Sequence, residues 1–186
     1  MPRPARKPSK TRKINTCKID VLVQSGLWEE PGKAKTTLRR AVRAAAAALS
    51  TTGAELAIVL ADDSAVRLLN RQWRGIDKAT NVLSFPTETA DGEPPLLGDI
   101  VLAYETIARE ACDEGKPFAH HLAHLAVHGF LHLNGYDHQR DADAEAMEAL
   151  ERKILRRLAI ADPYRPRARA DGRPAKTTAR KSARAR

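Results

Sequence analysis

Apolar and polar residues alternate over short stretches in the first half of the chain, a pattern typical of β-strands. Four such stretches, each containing β-branched or aromatic residues, are residues 18–23, 55–60, 81–85 and 99–103. Residues 33–49 follow Pro31 and are rich in Ala and Arg, which favours a helix. A cap at residues 62–64 can open a second helix that ends near Trp73. Two strand-helix units therefore precede two closely spaced strands.

Helical periodicity dominates the second half. It covers three segments, which are residues 105–114, residues 117–133 and residues 141 to about 158. The first two end at glycines, and the third opens with an acidic turn that suits the helix dipole. Four strands and five helices predict a single small α+β domain with one sheet. The length of the chain agrees with one domain.

Charge is distributed unevenly along the 186 residues, whose formal net charge is +9. Residues 1–18 carry seven basic and no acidic side chains, and residues 163–186 carry nine basic and one acidic. The intervening body therefore has a net charge of −6. We expect two disordered basic arms, 1–18 and 165–186, around a domain at 19–164. The arms would bind nucleic acid through counterion release, or they are solubilising ends with no partner.

Composition excludes several classes of protein. Hydrophobic residues make up 42% of the chain, enough for a core, which excludes disorder throughout. No apolar run reaches the length of a membrane span, so we expect no membrane association. No secretory apolar segment follows the basic N-terminus, although a transit peptide stays a weak possibility. The cysteines, Cys17 and Cys112, lie far apart, which indicates a reducing cytoplasm and no thiolate metal site.

All six histidines fall in one window of the chain, between residues 120 and 138. His128 and His132 are four residues apart on a predicted helix, so both can reach one ion. Asn134 and Gly135 then let the chain turn and bring His138 back toward them. Three imidazoles around one ion describe an open zinc site with a free coordination position. We therefore predict one Zn²⁺ per chain, at the end of a central helix.

The histidine spacing matches the ligands of the metzincin metalloproteases, but those enzymes place a general-base glutamate where this chain has Gly129. The site is therefore either structural or catalytic through a metal-bound water, with an open position favouring catalysis. His121 and His124 are interpreted as groups that orient a ligand, contact substrate or belong to the interior. Asp137 either accepts a proton or stabilises the turn. We expect His120 to be exposed.

Residues 127–138 (VHGFLHLNGYDH) resemble the H-G-x-L-H-L-x-G-Y-D-H motif of the YbeY-type endoribonucleases, a family of bacterial rRNA maturation factors. Residues 69–86 (LNRQWRGIDKATNVLSFP) are similar to the family's R-G-x-D-K-x-T-N-V-L-S-F-P block. Residues 96–103 (LLGDIVLA) are similar to its L-G-D strand. Residues 145–155 (EAMEALERKIL) continue the match to the family in the same register. The resemblance extends from about Leu56 to Tyr164, and the basic arms lie outside it.

The resemblance implies a small α+β fold with a mixed sheet. It also implies that His128, His132 and His138 bind zinc and that Arg74 is an essential arginine, which would stabilise charge on the scissile phosphate. Lys78, Asn81 and Ser84 would line the same groove, although Asn81 could equally hold its loop and Ser84 could pair in the sheet.

The implied function is a zinc-dependent, single-strand-specific endoribonuclease that matures the 3′ end of small-subunit 16S rRNA and takes part in late ribosome quality control. The implied partners are single-stranded rRNA, small-subunit ribosomal proteins and a ribosome-assembly GTPase. Two alternatives stay open at this point. One is a metal-dependent hydrolase of another class, such as a metallopeptidase, and the other is a non-catalytic ribosome assembly factor with a structural zinc.

Overall fold

The computed structural model describes residues 17–88 and 96–165. Nearly all of both expected basic arms lies outside these residues. The elements, in chain order, are β1 (Lys18–Val23), α1 (Pro31–Leu49), β2 (Glu55–Ala61), α2 (Asp63–Arg74), β3 (Val82–Pro86), β4 (Leu96–Ala103), α3 (Tyr104–Asp113), α4 (Phe118–Leu133) and α5 (Asp141–Arg157). All nine predicted elements are present, which confirms the α+β domain. No helix among the described residues is long and apolar enough to cross a membrane.

The four strands form one mixed sheet in the order β1-β2-β4-β3. The pairs β1–β2 and β2–β4 are parallel, and β3 runs antiparallel to β4 at the edge. Strand β4 begins three residues earlier than its sequence pattern predicts, because Leu96 and Gly98 pair on either side of a bulge at Leu97. Gly98 has φ 121°, and a Cβ there would overlap the carbonyl oxygen of Phe85. A glycine is therefore required at this position.

Helices cover both faces of the sheet. Helices α1 and α4 pack against the face that carries Ile58, Ile100 and Leu102, each fully buried, and α5 packs on α1 and α4. Helix α2 covers the other face through a smaller apolar cluster that contains Val66 and Leu83. Helix α4 is buried on nearly all sides, as expected for the central helix of the domain.

The helix boundaries differ slightly from the sequence patterns. Helix α1 starts at Pro31 rather than Lys33, because proline is well suited to the first helical position, where no N–H is needed. Helix α4 ends at Leu133, and Gly135 follows with φ 82°. His120, expected to be exposed, is half-buried in the first turn of α4, beside a small cavity that Arg40 and Leu158 also line.

Candidate functional site

His128 and His132 lie one turn apart on α4, and their Nε2 atoms are 3.1 Å from each other. The ring of His138 packs against both, with centroid distances of 5.5 Å to His128 and 4.9 Å to His132. One nitrogen from each ring lies within 4.8 Å of the others. The structure therefore brings together the three histidines that the sequence predicts as ligands.

The turn after α4 carries His138 back to the helix. The amide of Gly135 donates to the carbonyl of His132 (3.0 Å), and the amide of Tyr136 donates to the carbonyl of Leu131 (3.1 Å). The carboxylate of Asp137 accepts a hydrogen bond from the amide of His138 at 2.7 Å. Asp137 therefore stabilises the turn, and its second oxygen has no hydrogen-bond donor among the described residues. Residues of this turn, including Asp137, line an open cleft of about 460 Å³ together with the start of α5.

The donor set fits a tetrahedral metal ion such as zinc. Two nitrogens bound to one such ion at about 2.0–2.1 Å stand roughly 3.3 Å apart, close to the observed Nε2 separation of His128 and His132. Burial, together with the neighbouring His128 and His138, lowers the pKa of His132 to about 4. The His132 ring is therefore neutral near pH 7, as a metal ligand must be. The triad could hold a metal ion.

The carboxylate of Glu151, on α5, is fully buried behind the triad. Its Oε1 accepts a hydrogen bond from Nδ1 of His128 at 2.8 Å, and its Oε2 accepts one from Nε2 of His124 at 3.0 Å. Burial alone would raise the pKa of Glu151, but the hydrogen bonds from the two histidines hold it well below its usual range. Glu151 is thus an ionised acceptor that contacts His128 at Nδ1, whereas Nε2 of His128 faces His132.

Tyr164 completes this arrangement from the segment after α5. Its hydroxyl donates a short hydrogen bond to Oε2 of Glu151. Its ring packs edge-on against His124 with a centroid distance of 5.6 Å. Burial and the neighbouring Glu151 charge raise the pKa of Tyr164 far above its ordinary value, so the hydroxyl keeps its proton.

A half-buried carboxylate, Glu110 on α3, binds the buried His121. Its Oε2 accepts hydrogen bonds from Nε2 of His121 at 2.8 Å and from the side-chain amide of Asn81 at 2.9 Å. The amide oxygen of Asn81 also accepts from the backbone of Val82. Asn81 therefore holds its loop against α3, and neither Asn81 nor His121 has a hydrogen bond to the triad.

Arg74 ends α2 and is exposed, as is Lys78 in the following loop. Gly75, with φ 69°, caps the helix. Neither side chain forms a hydrogen bond or ion pair with another residue in the described part of the chain. Their neighbour Asp77 forms an ion pair with Arg67, whose guanidinium donates to both carboxylate oxygens at 2.7 and 2.9 Å. Arg74 and Lys78 therefore offer two free cations beside one loop.

Comparison with known proteins places this arrangement in a family. The family model described as Endoribonuclease YbeY matches residues 27–159. The chain belongs to the YbeY endoribonuclease family. A Rhodopseudomonas palustris (strain BisB18) relative named Endoribonuclease YbeY is 56% identical over 152 residues, which cover 78% of this chain and 90% of the relative. A Bradyrhizobium diazoefficiens relative of the same name is 54% identical over 156 residues, 80% of this chain and 85% of its own.

A solved structure agrees on the fold. The solution structure of a Thermotoga maritima protein has a TM-score of 0.53 with this chain and is 24% identical to it. The match covers 79% of this chain and 99% of that one. It therefore supports the YbeY-like fold that the sequence predicts.

The packing around Gly129 shows why the metzincin glutamate does not fit at this position of this YbeY family member. A Cβ at Gly129 would lie 3.0 Å from both Ser84 Oγ and Ile100 Cγ2. The position thus faces β3 and β4 in the interior, with no room for a glutamate between α4 and the sheet. Ser84, on β3, faces this contact, which lies one residue along α4 from His128.

The sequence patterns did not identify three residues, Glu151, Tyr164 and Glu110. A signal for Glu151 is present, because the buried face of α5 follows the helical spacing Ala144, Met147, Glu151, Ile154. An acid in an apolar stripe indicates a buried partner. No comparable sequence signal marks the other two, since Glu110 is only half-buried and Tyr164 lies outside the helices.

Proposed function

We propose that this YbeY family member is a zinc-dependent, single-strand-specific endoribonuclease that matures the 3′ end of 16S rRNA and acts in late ribosome quality control. The observation that carries the proposal is the convergence of three histidine nitrogens within 4.8 Å in a chain of this family. All three donors are imidazoles, which suits zinc, and three protein ligands leave one position for water or substrate.

His128, His132 and His138 would hold the ion. When bound, zinc supplies Lewis acidity at the phosphate and lowers the pKa of a bound water toward neutrality. The protein's own contribution is positioning: the helical turn between His128 and His132 and the tight turn before His138 set the three rings in place before substrate arrives.

Arg74 would bind the nonbridging oxygens of the scissile phosphate. Its guanidinium is exposed and free of ion pairs with the described residues, so no internal contact must be broken when a phosphate binds. Lys78, four residues further on, would neutralise a neighbouring phosphate. In this proposal the two cations stabilise the negative charge that develops during cleavage.

Asp137 is the proposed proton acceptor. One of its oxygens is used by the amide of His138, which orients the carboxylate, and the other has no donor among the described residues. Ser84 would approach the substrate from β3. His124 acts through Glu151 instead of touching substrate, whereas the contacts of His121 and Asn81 support a structural role.

The substrate in this proposal is single-stranded rRNA, because an unpaired strand can bend to an ion at the end of a helix more readily than a duplex. The basic arms would add affinity without sequence preference. Small-subunit ribosomal proteins and a ribosome-assembly GTPase are the proposed protein partners, and the cytoplasm is the proposed location.

The packing of Gly129 disfavours a metzincin-like peptidase, since the general base of those enzymes has no space here. An assembly factor with a structural zinc is the remaining competitor, and RNA cleavage by the zinc-loaded protein separates the two.

The test is cleavage of a labelled single-stranded RNA that ends in the 16S rRNA 3′ region. Wild type, with its zinc measured, is compared with Arg74→Ala and His132→Ala. Arg71→Ala is the matched control, because Arg71 is an exposed arginine in the same last turn of α2. We expect cleavage by wild type and Arg71→Ala and its loss in the other two, with zinc also lost in His132→Ala.

Wild-type protein that carries a full zinc and leaves the RNA intact would overturn the proposal in favour of an assembly factor. Cleavage that survives both Arg74→Ala and His132→Ala would trace the activity to a contaminating nuclease and equally overturn it.

A further inference from the structure

Glu151 is a fully buried carboxylate that receives three hydrogen bonds from three different side chains. A carboxylate without donors would be costly to keep in this interior, and an apolar residue would fill the stripe of α5 at least as well. The two oxygens are used differently. Among the described residues, Oε1 accepts only from His128, whereas Oε2 accepts from His124 and Tyr164.

The contact at Oε1 determines how the His128 ring is presented. An ionised carboxylate only accepts hydrogen bonds, so the proton of His128 must lie on Nδ1. The lone pair of the neutral ring is then on Nε2, the atom that lies 3.1 Å from Nε2 of His132. Without Glu151, the ring could take the other tautomer or rotate away from the triad.

The contacts at Oε2 hold the carboxylate itself. His124 reaches it from α4, and Tyr164 reaches it from the segment beyond α5. That segment is anchored, because Lys116 donates to the carbonyl of Pro163 at 3.0 Å and Asp162 accepts from the amide of Tyr164 at 2.9 Å. The guanidinium of Arg152 also lies 5.6 Å from the centre of the Tyr164 ring.

We propose that Glu151 and Tyr164 are positioning residues of the metal centre: Glu151 holds His128 in the tautomer and orientation that bind metal, and Tyr164 holds Glu151. This inference rests on the proposed metal-dependent function. It extends the site to Tyr164, which lies beyond the residues matched by the YbeY family model. Neither residue touches the metal or the RNA; both act through His128.

The experiment uses the full-length chain with Glu151→Gln and Tyr164→Phe. Glu110→Gln is the matched control, because Glu110 also binds a buried histidine at 2.8 Å but has no contact with the triad. Zn²⁺ affinity and release are measured by competition with a chromophoric chelator. Long-range ¹H–¹⁵N spectra of the histidine rings report the tautomer of His128, and urea unfolding reports stability.

We expect Glu151→Gln to weaken Zn²⁺ binding by about 10- to 100-fold, the range typical for loss of such a hydrogen-bond partner. Tyr164→Phe should weaken it by less, roughly 3- to 10-fold, since the carboxylate remains. The Nδ1-protonated pattern of His128 should be lost or mixed in Glu151→Gln. Glu110→Gln should lower stability while Zn²⁺ affinity and the His128 spectrum stay unchanged.

A folded Glu151→Gln protein with wild-type Zn²⁺ affinity and an unaltered His128 tautomer would overturn the inference. If Glu151→Gln does not fold, Tyr164→Phe decides by the same two measurements, because it removes a single hydroxyl. Equal losses of Zn²⁺ affinity in Glu110→Gln would also count against it, since they would reflect general destabilisation. RNA cleavage is scored separately, so weakened metal binding in a protein that never cleaves RNA would reject the proposed function alone.

Discussion

Gly129 of α4 packs so closely against Ser84 of the edge strand β3 that a Cβ added to Gly129 would lie 3.0 Å from the hydroxyl oxygen of Ser84. Gly129→Ala places a methyl group into this contact and against the buried Ile100. Overpacking costs about 1–3 kcal/mol and outweighs the roughly 1 kcal/mol that alanine contributes to helix propensity. We expect a net loss of about 1 kcal/mol in the free energy of unfolding, measured with urea.

Gly32→Ala is the control for this substitution. Gly32 is also helical, in the first turn of α1, and nothing lies within 4 Å of a Cβ placed there. It should raise stability by up to about 1 kcal/mol. If Gly129→Ala and Gly32→Ala changed the free energy of unfolding in the same direction, the packing argument would be contradicted.

Trp73 provides a direct probe of RNA at Arg74. The chain has two tryptophans, of which Trp28 is 4% exposed and Trp73 is 65% exposed. An RNA strand held by Arg74 passes the adjacent indole, on which a base can stack. We expect single-stranded RNA to quench tryptophan emission in wild type and much less in Trp73→Phe. Binding with unchanged emission would place the RNA path away from Arg74.

The lowered pKa of Glu110 predicts that the stability of the fold depends on pH. Burial would raise its pKa, but the hydrogen bonds from His121 and Asn81 lower it below the ordinary value of 4.5. A depressed carboxyl pKa stabilises the fold above the unfolded-state value, and this contribution is lost as pH falls through the folded-state value. Glu110→Gln should therefore cost about 1 kcal/mol at pH 7.

The difference between wild type and Glu110→Gln should be constant above pH 4.5 and shrink below it, because the carboxyl takes up a proton first in the unfolded state and, at lower pH, in the folded state. Urea midpoints at about pH 7, 4.5 and 3 measure it, because the loss occurs below the unfolded-state pKa. A gap that is constant over this range would mean that the charge of Glu110 contributes nothing to stability.

Deletion of residues 165–186 tests the proposed tail. The truncated chain keeps Tyr164, so the Zn²⁺ affinity of the proposed site should stay unchanged. RNA affinity should fall, and the slope of log K against log salt should become shallower by about 0.7 for each phosphate that the tail no longer neutralises. Fluorescence anisotropy between roughly 50 and 200 mM salt, the range over which such attraction is screened, gives the slope. An unchanged slope would show that the tail binds no phosphates.

Local sequence patterns determined the secondary structure closely. Alternation and helical periodicity located all nine elements, because each pattern depends on which residues face an interior a few positions away. Some observed element boundaries differ from the predicted ones, either because another strand supplies pairing partners or because a residue such as Pro31 favours a helix end. Strand β4 extends back to Leu96 because β2 and β3 supply pairing partners there, and no residue within β4 indicates them.

The convergence of His128, His132 and His138 was also predictable from sequence, since they belong to one helix and one turn whose geometry is local. The tertiary structure alone decided what surrounds them. It joined Glu151 of α5 to His128, brought Tyr164 onto the same carboxylate, and paired His121 with Glu110. These contacts link residues 11 to 23 positions apart on different elements. Short-range periodicity carries no information on such pairs, because helix packing determines which side chains meet.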